Sequence, residues 1–158
     1  MPVTEDEFRA ALSRFASGVT VVTTKDSRGT LHGITVSAFC SVSLEPPLVL
    51  ICIEQIAGSH AALIESRVFV VNFLSSQQLD LSERFASEAA DRFEGVEFKL
   101  NIDGLPIIAG CIAVLECRVK QTCAGGDHTV FIAEVESAEV YSGDPLVYFR
   151  SDYRALSA

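Results

Sequence analysis

No Gly-x-Gly-x-x-Gly, Gly-x-x-x-x-Gly-Lys-[Ser/Thr] or Gly-x-Ser-x-Gly occurs in the 158 residues. A dinucleotide fingerprint, a P-loop and a nucleophile elbow are thereby excluded. No apolar run approaches the ~20 residues that span a bilayer. The segment Met1-Pro2-Val3-Thr4-Glu5-Asp6-Glu7 also lacks the basic-then-apolar order of a secretory signal. The expectation is a cytoplasmic protein without a membrane partner. Basic residues are scarce as well: 12 Lys and Arg against 21 Asp and Glu leave a net charge of -9. That field repels polyanions and argues against nucleic acid as a partner. The cysteines, Cys40, Cys52, Cys111, Cys117 and Cys123, form no Cys-x-x-Cys pair and have no histidine at ligand spacing. Neither a metal site nor a disulfide framework is expected. Cys111 and Cys117, in a strand-like run with Ala113, Leu115 and Val119, read as small core residues sharing one face. Repeats, linkers and low-complexity tracts are missing too, so one domain over 1–158 is expected.

What is present is apolar and β-branched. Hydrophobic residues make up 49% of the chain, enough for a core and for apolar surface that a homodimer would absorb. Thr4 followed by Glu7 is a capping-box pattern, and Phe8, Leu12 and Phe15 then recur at helical spacing, predicting a helix over 5–16. Strands are expected at 19–24 and 31–36 around an Asp26-Ser27-Arg28-Gly29 turn. Others are expected at 48–53, 68–73, 107–122, 129–140 and 146–150. The unbroken run Leu48 to Ile53 suggests burial on both faces. Short helices are expected over 59–65 and from Ser75 to about Phe85, and 87–106 reads as irregular. Strands without a crossover helix for each pair do not make a doubly wound sheet. A mainly β, mainly antiparallel barrel with short flanking helices fits better.

Two segments could carry chemistry. Gly125-Gly126-Asp127-His128 places one of the 3 histidines at the mouth of a hairpin, beside a carboxylate and next to glycines that admit a close ligand. A plain turn with a solvated histidine is the competing reading. Gly33 to Pro47 runs through Thr35, Ser37, Ser41 and Ser43, a succession of hydroxyls and small residues before a proline turn. It could line a seat for a polar heterocycle or a phosphate, or be an ordinary strand end.

The chain resembles the short-chain flavin reductases, reductase components of two-component monooxygenases. The resemblance runs through F-A-S-G-V-T-V-V-T-T (15–24), G-I-T-V-S-A-F-C-S-V-S-L-E-P-P (33–47), R-F-A (84–86), G-D-H (126–128) and Y-F-R-x-x-Y-R-x-L (148–156). It implies an FMN-binding split β-barrel that moves a hydride from NADH or NADPH to FMN or FAD, and a partner monooxygenase. It also implies roles for particular residues. Thr35, Val36, Ser37 and Ala38 would lie along the flavin, and Ser43 near the polar edge of its ring. Cys52, Ile53, Ser59 and His60 would approach the ribityl phosphate, and Arg84, Phe85 and Ala86 would make a further contact, with Arg84 supplying positive charge. Gly126, Asp127 and His128 would meet the nicotinamide with Tyr153, His128 as a positioning and electrostatic group. Each has a plainer alternative: Phe85 as helix core, Cys52 chosen for size, His60 on the surface, Arg84 in solvent or an ion pair. A flavin-binding split barrel without turnover, and an enzyme like pyridoxamine-phosphate oxidase, are the rival readings.

Overall fold

Thr4 opens the first helix, α1 (Glu5–Leu12), through both halves of the capping box. Its Oγ1 accepts the Glu7 N–H at 3.2 Å, and its own N–H donates to Glu7 Oε2 at 2.8 Å. The helix ends at Leu12 instead of near 16. The Ser13 hydroxyl donates to the Ala10 carbonyl, and the Ser13 carbonyl accepts the Arg150 N–H at 2.7 Å, which diverts the chain into a short strand. In this computed structural model, which describes residues 2–157, α1 buries none of its side chains.

The strands are β1 (Ser17–Gly18), β2 (Thr20–Lys25), β3 (Leu31–Val36), β4 (Phe39–Ser43), β5 (Leu48–Glu54) and β6 (Val68–Phe73). They continue with β7 (Phe98–Leu100), β8 (Pro106–Ile108), β9 (Ala113–Gly125), β10 (His128–Val140), β11 (Val147–Phe149) and β12 (Asp152–Arg154). Two further helices, α2 (His60–Ser66) and α3 (Leu79–Ala86), flank β6 in the chain. Seven strands form one antiparallel sheet in the order β3-β2-β6-β9-β10-β5-β4. Its two edge strands, β3 and β4, are consecutive in the chain and joined only by Ser37 and Ala38. A sheet whose edges are tied by so short a link has to curl until they meet at that corner. No backbone ladder pairs β3 with β4 among the described residues, so the curl stays split along that line.

The interior of the curl is one apolar cluster that includes Val22, Val36, Ile51, Phe69, Cys117 and Phe131. A second cluster lies behind β2 and β6, under α3, the β7–β8 hairpin and β11, and includes Val21, Val70, Leu74, Phe85, Leu105 and Ile108. Successive residues of β2 and β6 thus serve opposite clusters, which is why both strands are buried without alternation. The equally unbroken β5 behaves differently. Val49, Ile51 and Ile53 are buried while Leu50 and Cys52 are only half-buried, because they line a cavity beside α1 instead of packing against a second layer. Cys111 and Cys117 are both buried but do not share a face: Cys111 precedes β9 and joins the second cluster, Cys117 the first.

Residues 87–106 are less irregular than expected, since they contain β7 and the start of β8. Asn72, fully buried, holds that hairpin: its Oδ1 accepts the Ile108 N–H at 2.9 Å and its Nδ2 donates to the Val21 carbonyl at 2.9 Å. β4, β1 and β12 are further strands that periodicity did not separate. No helix among the described residues is long and apolar enough to cross a membrane.

Candidate functional site

The corner between β3 and β4 carries unpaired polar groups. Ser37 and Ala38 are exposed, and neither their backbone N–H groups nor the Ser37 hydroxyl has a hydrogen-bond partner among the described residues. The Ala38 carbonyl is engaged, accepting the Cys52 N–H at 3.0 Å, which ties the corner to β5. Around it lies a cleft of about 220 Å³ lined by residues 34–38 of β3 and the corner, by Cys52, Ile53 and Glu54 of β5, and by His128. The two segments singled out in the sequence, far apart in the chain, therefore meet in one place. They meet because β10 pairs with β5 in a register that sets His128 opposite Glu54.

Within that cleft the residues differ in what they can offer. The Thr35 hydroxyl donates to the Ser82 carbonyl at 2.7 Å and is not free for a ligand. The Val36 side chain points into the core with 4% exposure, and its carbonyl accepts the Thr20 hydroxyl, so it presents little beyond backbone. Ile53 is likewise buried at 1%. Ser37 and Ala38 are the polar and accessible part.

His128 begins β10, its side chain 41% exposed, with Nδ1 2.7 Å from Asp127 Oδ1. The hydrogen bond from His128 holds the Asp127 carboxyl below the usual carboxylate range, with the charge interaction second. An ionised Asp127 accepts the Nδ1 proton, a hydrogen bond that orients the ring and leaves Nε2 outside it. The turn carrying the pair is anchored by Gln55, whose N–H donates to the Asp127 carbonyl at 2.9 Å. Gly126 has φ +62° and nothing within 4 Å of an added Cβ. It serves the two-residue turn, which needs positive φ, and the space beside it is open.

A second cavity of about 550 Å³ lies beyond the other end of β3. It is lined by residues 30–33, by Gly58 and Ser59, and by residues 89–93. Arg92 brings a cation to this wall. Its guanidinium donates to the Gly33 carbonyl at 2.9 Å and the Phe85 carbonyl at 3.3 Å, which pins the side chain in a half-buried position. Nothing in the sequence marked Arg92, because the polar stretch around it has no periodicity. Its placement depends on a carbonyl 59 positions away. His32, on the same wall, is held by Asp26 Oδ2 at 3.0 Å.

The R-F-A segment is placed otherwise than expected. Helical spacing puts Ser82 and Phe85 on the buried face of α3, and Phe85 has 0% exposure, its ring 5.0 Å from that of Phe93 in an edge-on contact. Arg84 turns its guanidinium to the Glu94 carbonyl, and Ala86 is an exposed helix end that lines neither cavity. Phe85 packs in the core behind Phe93, and it is Arg92 instead of Arg84 that lines the second cavity. Ser59 reaches the second cavity but is buried at 4%. His60 does not turn outward: its Nε2 lies 2.8 Å from Thr129 Oγ1 and its ring sits edge-on to Phe131. Ser43 pairs with Leu48 at the far end of β4 and lines neither the cleft at the corner nor the cavity beyond β3. Tyr153 is drawn inward by a 2.8 Å hydrogen bond between its hydroxyl and Ser82 Oγ. Its neighbour Tyr148, which opens the same 148–156 motif, instead faces a third, largely apolar cavity of about 590 Å³ formed by α1, β4, β5 and the corner.

A family model described as "Flavin reductase like domain" matches residues 12–157. The chain is 40% identical over 152 residues to the reductase component of a 4-nitrophenol 4-monooxygenase/4-nitrocatechol 2-monooxygenase from Rhodococcus opacus, covering 96% of this chain and 81% of that protein. Among solved structures, the flavin reductase PheA2 in its native state superposes with a TM-score of 0.91 at 38% identity, over 99% of this chain and 100% of that one. The NADH:FAD oxidoreductase SgcE6 of Streptomyces globisporus, in complex with NAD and FAD fragments, superposes with a TM-score of 0.91 at 34% identity. It is matched over 99% of this chain and 98% of that one.

Proposed function

Because this chain belongs to the flavin reductase-like family, we propose that it is an oxidoreductase moving a hydride from NADH or NADPH to FMN or FAD, and that it supplies reduced flavin to a flavin-dependent monooxygenase. The observation that carries this reading is the convergence of His128 with the Ser37–Ala38 corner on one cleft. Unpaired donors at that corner fit the polar edge of a fused heterocycle, and Arg92 with the cavity beyond β3 fits a phosphate. A bound flavin supplies the two-electron chemistry itself. The chain's own residues bind, orient and exclude water: the corner N–H groups and Ser37 hydroxyl hold the ring edge, and Arg92 anchors the charged tail. His128, oriented by Asp127, holds the nicotinamide-bearing partner in register. No proton need leave the protein in the transfer, so His128 acts as a positioning residue.

Both core clusters draw on β2 and β6, which supports one flavin reductase-like domain over 1–158. Exposed large apolar side chains such as Ile102 (99%), Leu44 (92%) and Val140 (83%) fit a homodimer, testable by sedimentation. The five cysteines are free, in keeping with a reducing compartment such as the cytoplasm.

Anaerobic mixing with excess FMN or FAD and NADH or NADPH should bleach the nicotinamide absorbance in a protein-dependent way. Flavin binding without turnover by either nucleotide would leave a non-catalytic binder in place of the enzyme. In the same assay His128→Ala should raise the nicotinamide KM or slow flavin reduction by about tenfold with flavin affinity nearly intact. Unchanged kinetics would take His128 out of the site.

A further inference from the structure

Three of the cysteines stand on one outer face of the sheet. Register sets Cys40 opposite Leu50, two residues from Cys52 on β5, so Cys40 and Cys52 are diagonal neighbours on adjacent strands. Cys52 lies opposite Val130, and Val130 opposite Cys123, which puts Cys123 two strands away. Cys40 is exposed, Cys52 half-buried, and both line the apolar cavity that adjoins the corner. Burial, and then the nearby Cys40 and Cys123, push the Cys52 thiol up from its ordinary value. Cys111 and Cys117 are different: burial pushes each to about 12, and neither is accessible.

We propose that Cys40 and Cys52 are an oxidant-sensitive dithiol that closes to a disulfide across the wall of this cavity and lowers turnover. The oxidant is hydrogen peroxide, which reduced flavin generates when dioxygen reoxidises it; that local source rests on the reductase reading. The Cys40 thiolate attacks one peroxide oxygen, the O–O bond breaks, hydroxide leaves, and Cys40 carries a sulfenic acid. The Cys52 sulfur then attacks the Cys40 sulfur, forming the S–S bond and expelling the second hydroxide. The two thiol protons complete two waters, and two electrons pass from the thiols to the peroxide.

Geometry selects this pair. Diagonal neighbours on adjacent antiparallel strands have Cα atoms about 7–8 Å apart with side chains closer, whereas a disulfide spans about 4.4–6.8 Å. Closure needs a movement of about an ångström, which β4 can supply as an edge strand bonded on one side, with a register irregularity between Ser41 and Ser43. Cys123, two strand spacings of about 4.8 Å from Cys52, is out of reach. Since β4 begins at the Ser37–Ala38 corner, drawing it over β5 shifts the groups proposed to hold the flavin.

The test treats the purified protein with hydrogen peroxide, then combines intact mass, a non-reducing peptide map and turnover. The wild type should lose two hydrogens, show a peptide joining Cys40 to Cys52, and lose turnover about tenfold, restored by dithiothreitol. Cys40→Ser and Cys40→Ala should turn over normally beforehand and lose both the bridge and the reversible inhibition, while Cys123→Ser should behave as wild type. Cys40 oxidised without a bridge, a bridge to Cys123, or reversible inhibition persisting in the Cys40 variants would each overturn the proposal. The bridge is read by mass in the absence of flavin. A bridge in a protein without turnover therefore counts only against the reductase reading, and turnover without a bridge only against the dithiol.

Discussion

Replacing Arg92 with alanine should weaken FMN binding by about 10- to 100-fold, the worth of a hydrogen bond to a charged group of roughly 1.5–3 kcal/mol, while Arg84→Ala leaves it nearly unchanged. The difference follows from where the two guanidinium groups are spent. Arg84 is turned to the Glu94 carbonyl at the end of α3. Arg92 is held at the wall of the cavity beyond β3 by the Gly33 and Phe85 carbonyls, which fix its direction without neutralising its charge. A cation fixed in advance loses little conformational freedom on binding, so more of its attraction survives as affinity. Equilibrium titration of flavin fluorescence with FMN and, in parallel, with riboflavin separates the phosphate contact from a structural role. Only FMN should weaken in Arg92→Ala. An equal loss for riboflavin would make Arg92 a strut of the cavity and nothing more.

A loss of about 3–5 kcal/mol is expected for Phe85→Ala, the usual cost of removing a buried aromatic ring. That corresponds to a fall in melting temperature of about 10 °C for a chain of this size. The ring is fully buried, lies edge-on to Phe93, and fills the space over Gly33. The converse substitution tests the same packing. A Cβ on Gly33 would come within 2.7 Å of Phe85 Cε1 and 3.2 Å of Phe93 Cζ, so Gly33→Ala should cost about 1–3 kcal/mol by overpacking. Urea unfolding with and without FMN decides between packing and cofactor contact. With Phe85 a core residue, Phe85→Ala destabilises the flavin-free protein by the full amount. If the flavin-free stability were untouched and only the FMN-dependent increment were lost, Phe85 would be a ligand contact after all.

Local patterns were legible wherever the physics is local. The capping box at Thr4 and Glu7, the β-branched run of β2 and the two-residue turn at Gly126 and Asp127 each depend on neighbours within a few positions, and the structure realises all three. So was the grouping of Ser37, Ala38 and His128 as candidates, through motifs in a family order. The exceptions are instructive. The apolar run of β5 looked buried on both faces, but only one face meets the core. Periodicity reports apolarity and not what lies opposite. In R-F-A, helix phase decides that Phe85 points inward, yet which arginine faces the cavity turns on a distant carbonyl.

By itself, then, the sequence determined a β-rich chain of acidic charge, its turns and caps, and, through the family motifs, a short set of candidate site residues. The tertiary structure alone decided that β3 and β4 close on each other at Ser37 and Ala38, that Arg92 and not Arg84 lines the second cavity, that His60 and Tyr153 are spent on internal hydrogen bonds, and that Cys40 stands beside Cys52. The reason is physical: a side chain's direction and its partners are set by strand pairing between segments tens of residues apart, and spacing along one chain does not encode that register.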